Sequence, residues 1–481
     1  MKISKIFITA ITAAVLFAGC SEDRLIEMPV DQFLLENAIT DASSMRSVLN
    51  GVYDHFSGAS AFGADILIFG DLISDNVFIT AANTDVAYRN TGNLNWSSDI
   101  SDFGMLRTLY SGIVLANTVI NNTSVEETPT VLNYKGEAKI TRAIAYLYLL
   151  NFYSPNPTSG MNQEFGVPLN LGAYDPNAQL PRATVAEVYQ QVIDDLTSAL
   201  QMMTNEDPVN KGYLNPTAAR LLLSRAYLTR GQAGDYQKSV EYADQVINSA
   251  GSSTFDFVDR AGYVQYFTGM NVEQSENQPE TVWEINMNAT PSENTGVNSS
   301  LSAFYESTGS KKRFMFTQEF RNTFPTTDIR RSLFNTAGTF AQDEPRGVWT
   351  RKWIRLTSEG NFTQNVKVLR MSEVKLNKVE ALAKMGNEAA ALALLNEFAT
   401  ERGGTTYTSA SIDNILTERR KEFFAEGHRF FDLKRNNLGF ERTSNCYSLV
   451  CSVPANDKIF VIPMPLSEMN VNLNMVQYPG W

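Results

Sequence analysis

Three glutamates spaced four apart along one apolar-sided helix constrain this chain more than any other feature. They lie within residues 411–435, SIDNILTERRKEFFAEGHRFFDLKR. Ile412, Ile415, Leu416, Phe423 and Phe424 recur at helical spacing and predict a helix with one side on a core. Asp413 falls in its first turn, where a carboxylate suits the helix dipole. Gly427 reads as its stop, because a left-handed terminal residue costs glycine little. Glu418, Glu422 and Glu426 then share one stripe. Such a stripe repels itself unless cations answer it, and Arg419, Arg420, Arg429, Lys434 and Arg435 are at hand. Paired carboxylates are one reading, suited to acid/base chemistry. A structural ion network is the other, and it is preferred because ion networks perturb carboxylates more often than catalysis does.

Most of the remaining pattern is helical. Residues 41–56 carry Met45, Val48, Leu49 and Val52 on one side, and residues 103–121 align Leu106, Leu109, Tyr110, Ile113 and Val114. Residues 138–153 predict a third helix, broken by Pro155, Pro157 and Gly160. Thr184-Val-Ala-Glu187 opens the clearest helix as a capping box. Asn215-Pro216 starts the next, with a capping asparagine and proline in the first turn. Two segments look alike: 226–231 leading into 236–247, and 381–386 leading into 388–398. Each is a helix, a short glycine turn and a second amphipathic helix, similar to the tetratricopeptide unit. Such pairs need neighbours to cover their apolar faces, so helices before residue 250 and after 369 should stack into one core. Residues 251–366 differ, with short β-like runs at 281–287 and 348–356 among Asn, Ser, Thr and Gly. The expectation is a mainly α, tetratricopeptide-like helical-hairpin scaffold (about 41–250 and 369–436). A loop-rich excursion (about 251–366) carries short strands.

The N-terminus reads as processed. Lys2 and Lys5 precede an apolar run from Ile6 to Phe17, then Ala18-Gly19-Cys20. That is a secretory signal over residues 1–19, too short to span a membrane as a mature helix. Leu16-Phe-Ala-Gly-Cys20 resembles a bacterial lipobox, in which the cysteine carries the lipid, so residues 20–481 are expected as one anchored domain. Cys446 and Cys451 either close a small loop in an oxidising exterior or remain free thiols. A net charge of −12 without a basic block argues against nucleic acid. Two histidines leave little for His-rich metal sites or His-centred triads, and no phosphate loop, nucleophile elbow or metal motif appears. No metal or cofactor is expected.

E-R-R-K-E-x-x-x-E-G-H-R-F-F-D-L-K-R resembles the C-terminal signature of the SusD/RagB family of Bacteroidetes surface lipoproteins. Further stretches match it in order: Gly51-Val-Tyr53, Gly70-Asp71 with Ser74-Asp75-Asn76, Tyr110-Ser-Gly-Ile113 with Ala116-Asn117, and Asp328-x-Arg330. Arg370-Met-Ser-Glu373 with Asn377 and Glu380-Ala381 follows, then Ile462-Pro463 and the Asn470–Gly480 end. At that end the usual Gln-Asn is replaced by Met475-Val476-Gln477. Ser21-Glu22-Asp23 resembles the acidic tag that sends such lipoproteins to the outer face. The resemblance implies a non-catalytic, lipid-anchored outer-membrane protein facing the exterior. It would bind glycan, or peptide in the RagB-like branch, as the lid of a SusC-like TonB-dependent transporter. A glycoside hydrolase is the remaining alternative, because acidic pairs abound. In the family the glutamate helix is scaffold, and binding residues vary among loops of the early and middle chain.

Sugar rings present apolar faces and a rim of hydroxyls, which suit aromatic platforms beside amide, carboxylate or guanidinium groups. Trp96 stands in a polar stretch with Arg89, Asn93 and Asn95, and is expected to stack a glycan with Asn95, Arg89 and Asp71 as polar contacts. Tyr305 or Trp349 is expected to close that platform from the excursion. Trp349 and Trp353 share one face if their run is a strand. Trp283, between Val282 and Ile285, reads as core.

Overall fold

A computed structural model describes residues 38–481 apart from 100–102, 205–209, 288–297, 344–345, 357–361, 364, 444–445 and 447–449. The signal and lipobox expectations, Cys20 included, lie outside the described residues.

Helix α1 (Ala42–Ser57) opens with Asp41, whose carboxylate accepts from the Ser44 amide while Ser44 Oγ accepts from the Asp41 amide. Its Met45, Leu49, Val52 and Phe56 are buried at helical spacing. The short α2 (Asp65–Leu72) is buried on every side. Then come α3 (Met105–Ile120) and α4 (Pro129–Tyr153). Helix α4 starts well before the predicted Ala138, because Thr128 caps it and Pro129 occupies its first turn. Gly136 lies within it, where a Cβ would meet Met203 Cγ at 2.4 Å, so the apolar pattern is interrupted by a packing glycine. Helix α5 (Val185–Met202) carries both bonds of the Thr184/Glu187 capping box, and α6 (Pro216–Arg230) is capped by Asn215. Helices α7 (Asp235–Ser249), α8 (Met371–Lys384) and α9 (Glu388–Glu401) complete the array.

Along the chain these helices pack α1 on α3, α3 on α4, α4 on α5, α5 on α6, and α6 on α7. Across the excursion, α7 packs on α8, and α8 on α9. The apolar faces left by the first run of hairpins are thus covered by the last pair.

The excursion is built on short strands. Strands β1 (Val77–Phe78), β3 (Met315–Thr317), β5 (Gly347–Thr350) and β4 (Phe334–Asn335) form an antiparallel sheet in the order β1-β3-β5-β4. β2 (Thr281–Ile285) pairs with β8 (Val366–Arg370), which runs straight into α8. β6 (Arg355–Leu356) pairs with β7 (Phe362–Thr363), and β9 (Phe440–Glu441) with β10 (Ser452–Val453). The run holding Trp349 and Trp353 is therefore not one strand: β5 ends at Thr350 and a bend follows. Trp349 joins Phe78, Met315 and Ala341, while Trp353 enters the main core and donates to Ala425 O at 2.7 Å. Trp283 is fully buried. Cys446 and Cys451 form a disulfide within the β9–β10 hairpin.

The glutamate helix, α10 (Ile412–Glu422), stops short of the predicted end. Gly427 follows at φ +75°, and α11 (Arg429–Arg435) resumes the signature. Glu426 thus lies beyond the helix, not on its stripe. The last helix is α12 (Leu466–Val471).

Candidate functional site

The three glutamates are buried, and the cations that answer them are not the ones nearest in sequence. Arg330 pairs with Glu418 at 2.7 Å and Glu422 at 3.4 Å. Arg370 reaches Glu422 at 3.2 Å and Glu426 at 2.7 Å. Arg402 reaches Glu422 at 3.3 Å, and Lys352 reaches Glu426 at 2.5 Å. Arg330 and Lys352 come from the excursion and Arg370 and Arg402 from the scaffold, so the network ties the two together. The local cations point elsewhere. Arg419 and Arg435 take Asp432, Arg420 and Arg429 take Asp75, and Lys434 donates to the carbonyls of Asn151, Ser154 and Phe460. Burial alone would raise the Glu422 and Asp432 carboxyls, yet the surrounding guanidiniums hold both well below the usual range. Carboxylates so committed reach no substrate; they are scaffold.

The predicted aromatic platform is not at the surface. Tyr305 and Trp349 are 0% exposed and Trp96 is 5% exposed. Trp96 meets the edge of Phe103 at 5.5 Å and lies 6.4 Å from Trp481, covered from the far end of the chain. Tyr305 ends the short helix Leu301–Tyr305 and donates to Asp71 at 3.3 Å inside the core. Trp349 Nε1 donates to Thr339 O. Rings closed in this way offer no face to a sugar. Arg89 is half-buried and spends its guanidinium on the carbonyls of Asn83 and Asp85. Asn95 alone of the six is exposed. The structure joins Asp71 and Tyr305 by a hydrogen bond.

Asp71 has a different consequence. Asn76 Nδ2, the Gly427 amide and the Tyr305 hydroxyl all donate to it. Burial outweighs these donors and pushes its carboxyl up from 3.8 to about 7. The folded state therefore holds this proton more tightly than the unfolded chain. That contribution is full below the unfolded value and is lost as pH rises through about 7. Asp71→Asn is expected to gain melting temperature relative to wild type on going from about pH 5 to about pH 8. Parallel curves for the two proteins would contradict the assignment.

An open groove of about 740 Å³ lies among the described residues. One wall is the outward face of α3, with Leu106, Arg107, Tyr110, Ser111 and Val114. The facing wall is made by residues 168–180, including Asn170, Tyr174 and Asp175, and by residues 464–475, including Met464, Glu468 and Asn472. Tyr174 is 61% exposed at its edge. Tyr110 donates to Pro168 O at 2.8 Å, which fixes its ring. Asn472 donates to Leu180 O at 3.0 Å, Asn474 to Gln179 O at 2.8 Å and Arg182 to Val476 O at 2.8 Å, joining the two segments. Sequence reasoning missed this groove, because its walls come from three distant segments. The one local signal is Tyr174, an aromatic residue in the polar, Gly- and Pro-containing stretch LGAYDPNAQ.

Comparison with known proteins agrees with this architecture. Residues 334–481 match the model of the SusD family, and residues 27–228 match a SusD-like family described as starch-binding and associating with the outer membrane. The chain belongs to the SusD/RagB family. Among SusD-like relatives, SusD-like protein P2 of Formosa agariphila is 26% identical over 248 residues, covering 50% of this chain and 46% of that protein. The match thus spans about half the length of the curated relatives. A SusD superfamily structure from Bacteroides thetaiotaomicron is 27% identical with a TM-score of 0.79, covering 91% of this chain and all of that one. Another SusD superfamily structure, from Bacteroides vulgatus, is 26% identical with a TM-score of 0.81 over 92% of this chain and all of that one.

Proposed function

We propose that this SusD/RagB protein is a lipid-anchored, outward-facing protein of the outer membrane. In this reading it captures oligo- or polysaccharide and passes it, unaltered, to a SusC-like TonB-dependent transporter. Residues 1–19 are the signal, Cys20 carries the lipid, and residues 20–481 act as one unit. The observation that carries the reading is the pair of family matches at the two ends of the chain, one of them to a starch-binding, outer-membrane-associating family. The apolar run ending in Ala18-Gly19-Cys20 supports the anchor. The commitment of the glutamate stripe to arginines supports a binding role over one that uses those carboxylates for acid/base work. Of the residues proposed from sequence for ligand contact, Asn95 is exposed and Arg89 partly so, while Asp71, Trp96, Tyr305 and Trp349 are buried.

Cell fractionation tests the anchor. Cys20→Ala is expected to leave the membrane fraction and appear in soluble material, because loss of the acyl chains removes the binding energy of their buried methylenes. Retention in the membrane at the wild-type level would contradict the anchor. Co-purification of a TonB-dependent transporter with the anchored wild-type protein tests the partner.

A further inference from the structure

We propose that the groove between α3, residues 168–180 and residues 464–475 is a carbohydrate cleft that takes a short run of a linear oligosaccharide. The inference rests on the glycan-binding reading and gives it a location away from the sequence-predicted platform. The volume, about 740 Å³, lies within the range usual for small-ligand sites. Tyr174 stands at the edge with its ring accessible, and Tyr110 is held in the opposite wall by its bond to Pro168 O. A sugar ring laid across such a groove packs its C–H face on an aromatic ring and on the apolar lining.

The hydroxyl rim finds polar partners. Arg107, Ser111 and Ser467 line the groove, and their side chains make no hydrogen bond to any described residue. An arginine and two hydroxyls beside an apolar floor match a ligand that is apolar on its faces and polar at its edge. The walls are also set in advance. Residues 168–180 and 464–475 are already joined through Asn472, Asn474 and Arg182, so a ligand need not order them. Those bonds use the carbonyls of Leu180, Gln179 and Val476, which leaves little strand edge for an extended peptide to pair with. The chemistry therefore favours sugar over peptide.

The test uses the lipid-free mature chain and five soluble probes: maltoheptaose, cellohexaose, laminarihexaose, xylohexaose and mannohexaose. Binding is measured by calorimetry for wild type, Tyr174→Ala, Ser111→Trp and Asn95→Ala, with melting temperatures as the control for folding. At least one probe is expected to bind wild type. Tyr174→Ala and Ser111→Trp should weaken that binding tenfold or more at unchanged melting temperature, with Asn95→Ala within twofold of wild type. Wild-type affinity in both groove variants would overturn the cleft while leaving the glycan reading intact, and a loss confined to Asn95→Ala would move the ligand to that loop. If wild type binds none of the probes, the glycan reading fails and the cleft fails with it. Tyr174 is largely exposed, so loss of folding in Ser111→Trp alone still leaves Tyr174→Ala to decide.

Discussion

Glu422→Ala is expected to destabilise the fold by about 3–5 kcal/mol, the usual consequence of stranding buried charge. The Glu422 side chain is fully buried and receives Arg402 at 3.3 Å, Arg330 at 3.4 Å and Arg370 at 3.2 Å. Removing it leaves three guanidiniums facing one another with one anion fewer. The loss should appear as a lower midpoint in urea, with the remaining folded protein still binding its ligand. A wild-type midpoint, or a stable protein that has lost only binding, would contradict the structural role. The buried ion pairs of this region also give an acid limb to stability. Glu422, Asp432 and Asp75 have carboxyls lowered in the folded state, so their contribution is present above the unfolded carboxylate range and is lost as pH falls toward the folded values.

Gly70→Ala is expected to be clearly destabilising as well. A Cβ at Gly70 would lie 1.9 Å from Gly427 O, and one at Gly427 would lie 2.7 Å from Leu67 Cα. Here α2 and the turn before α11 meet backbone to backbone, and Gly427 is also held at φ +75°. Neither contact can be relieved by turning a side chain. Overpacking alone typically costs about 1–3 kcal/mol, occasionally more, and the left-handed backbone adds roughly 1–2 kcal/mol for Gly427→Ala. Both variants should give a clearly lowered melting temperature or fail to accumulate as soluble protein. Melting at the wild-type temperature would show that the two backbones separate at little cost.

Local chemistry made much of the scaffold legible. Thr184 with Glu187, and Asn215 before Pro216, mark helix starts because a cap satisfies its own neighbouring amides. The likeness of the two hairpins foretold the stacking of α7 on α8, since each leaves an apolar face that only another pair can cover. Partner choice was not legible. Glu418, Glu422 and Glu426 predict a stripe answered by local cations such as Arg419 and Arg435, but Arg330 and Lys352 answer it from the excursion and Arg370 and Arg402 from the scaffold. The burial of Trp96 was hidden for the same reason. Its neighbours in sequence are polar, and Trp481, which covers it, is set by the fold. Gly427 lies in the turn beyond α10 and does not end it, and its contact with Gly70 depends on an approach of two backbones that no local pattern records.

Binding without turnover is the central claim, and incubation of the mature protein with a soluble oligosaccharide panel tests it most directly. Calorimetry and mass analysis are applied to the same samples. Saturable binding of at least one sugar, with every sugar recovered at its starting mass, is the predicted result. Binding of none would contradict the glycan reading, and release of shorter sugars would contradict the non-catalytic role and direct attention to Asp175 and Glu468 in the groove.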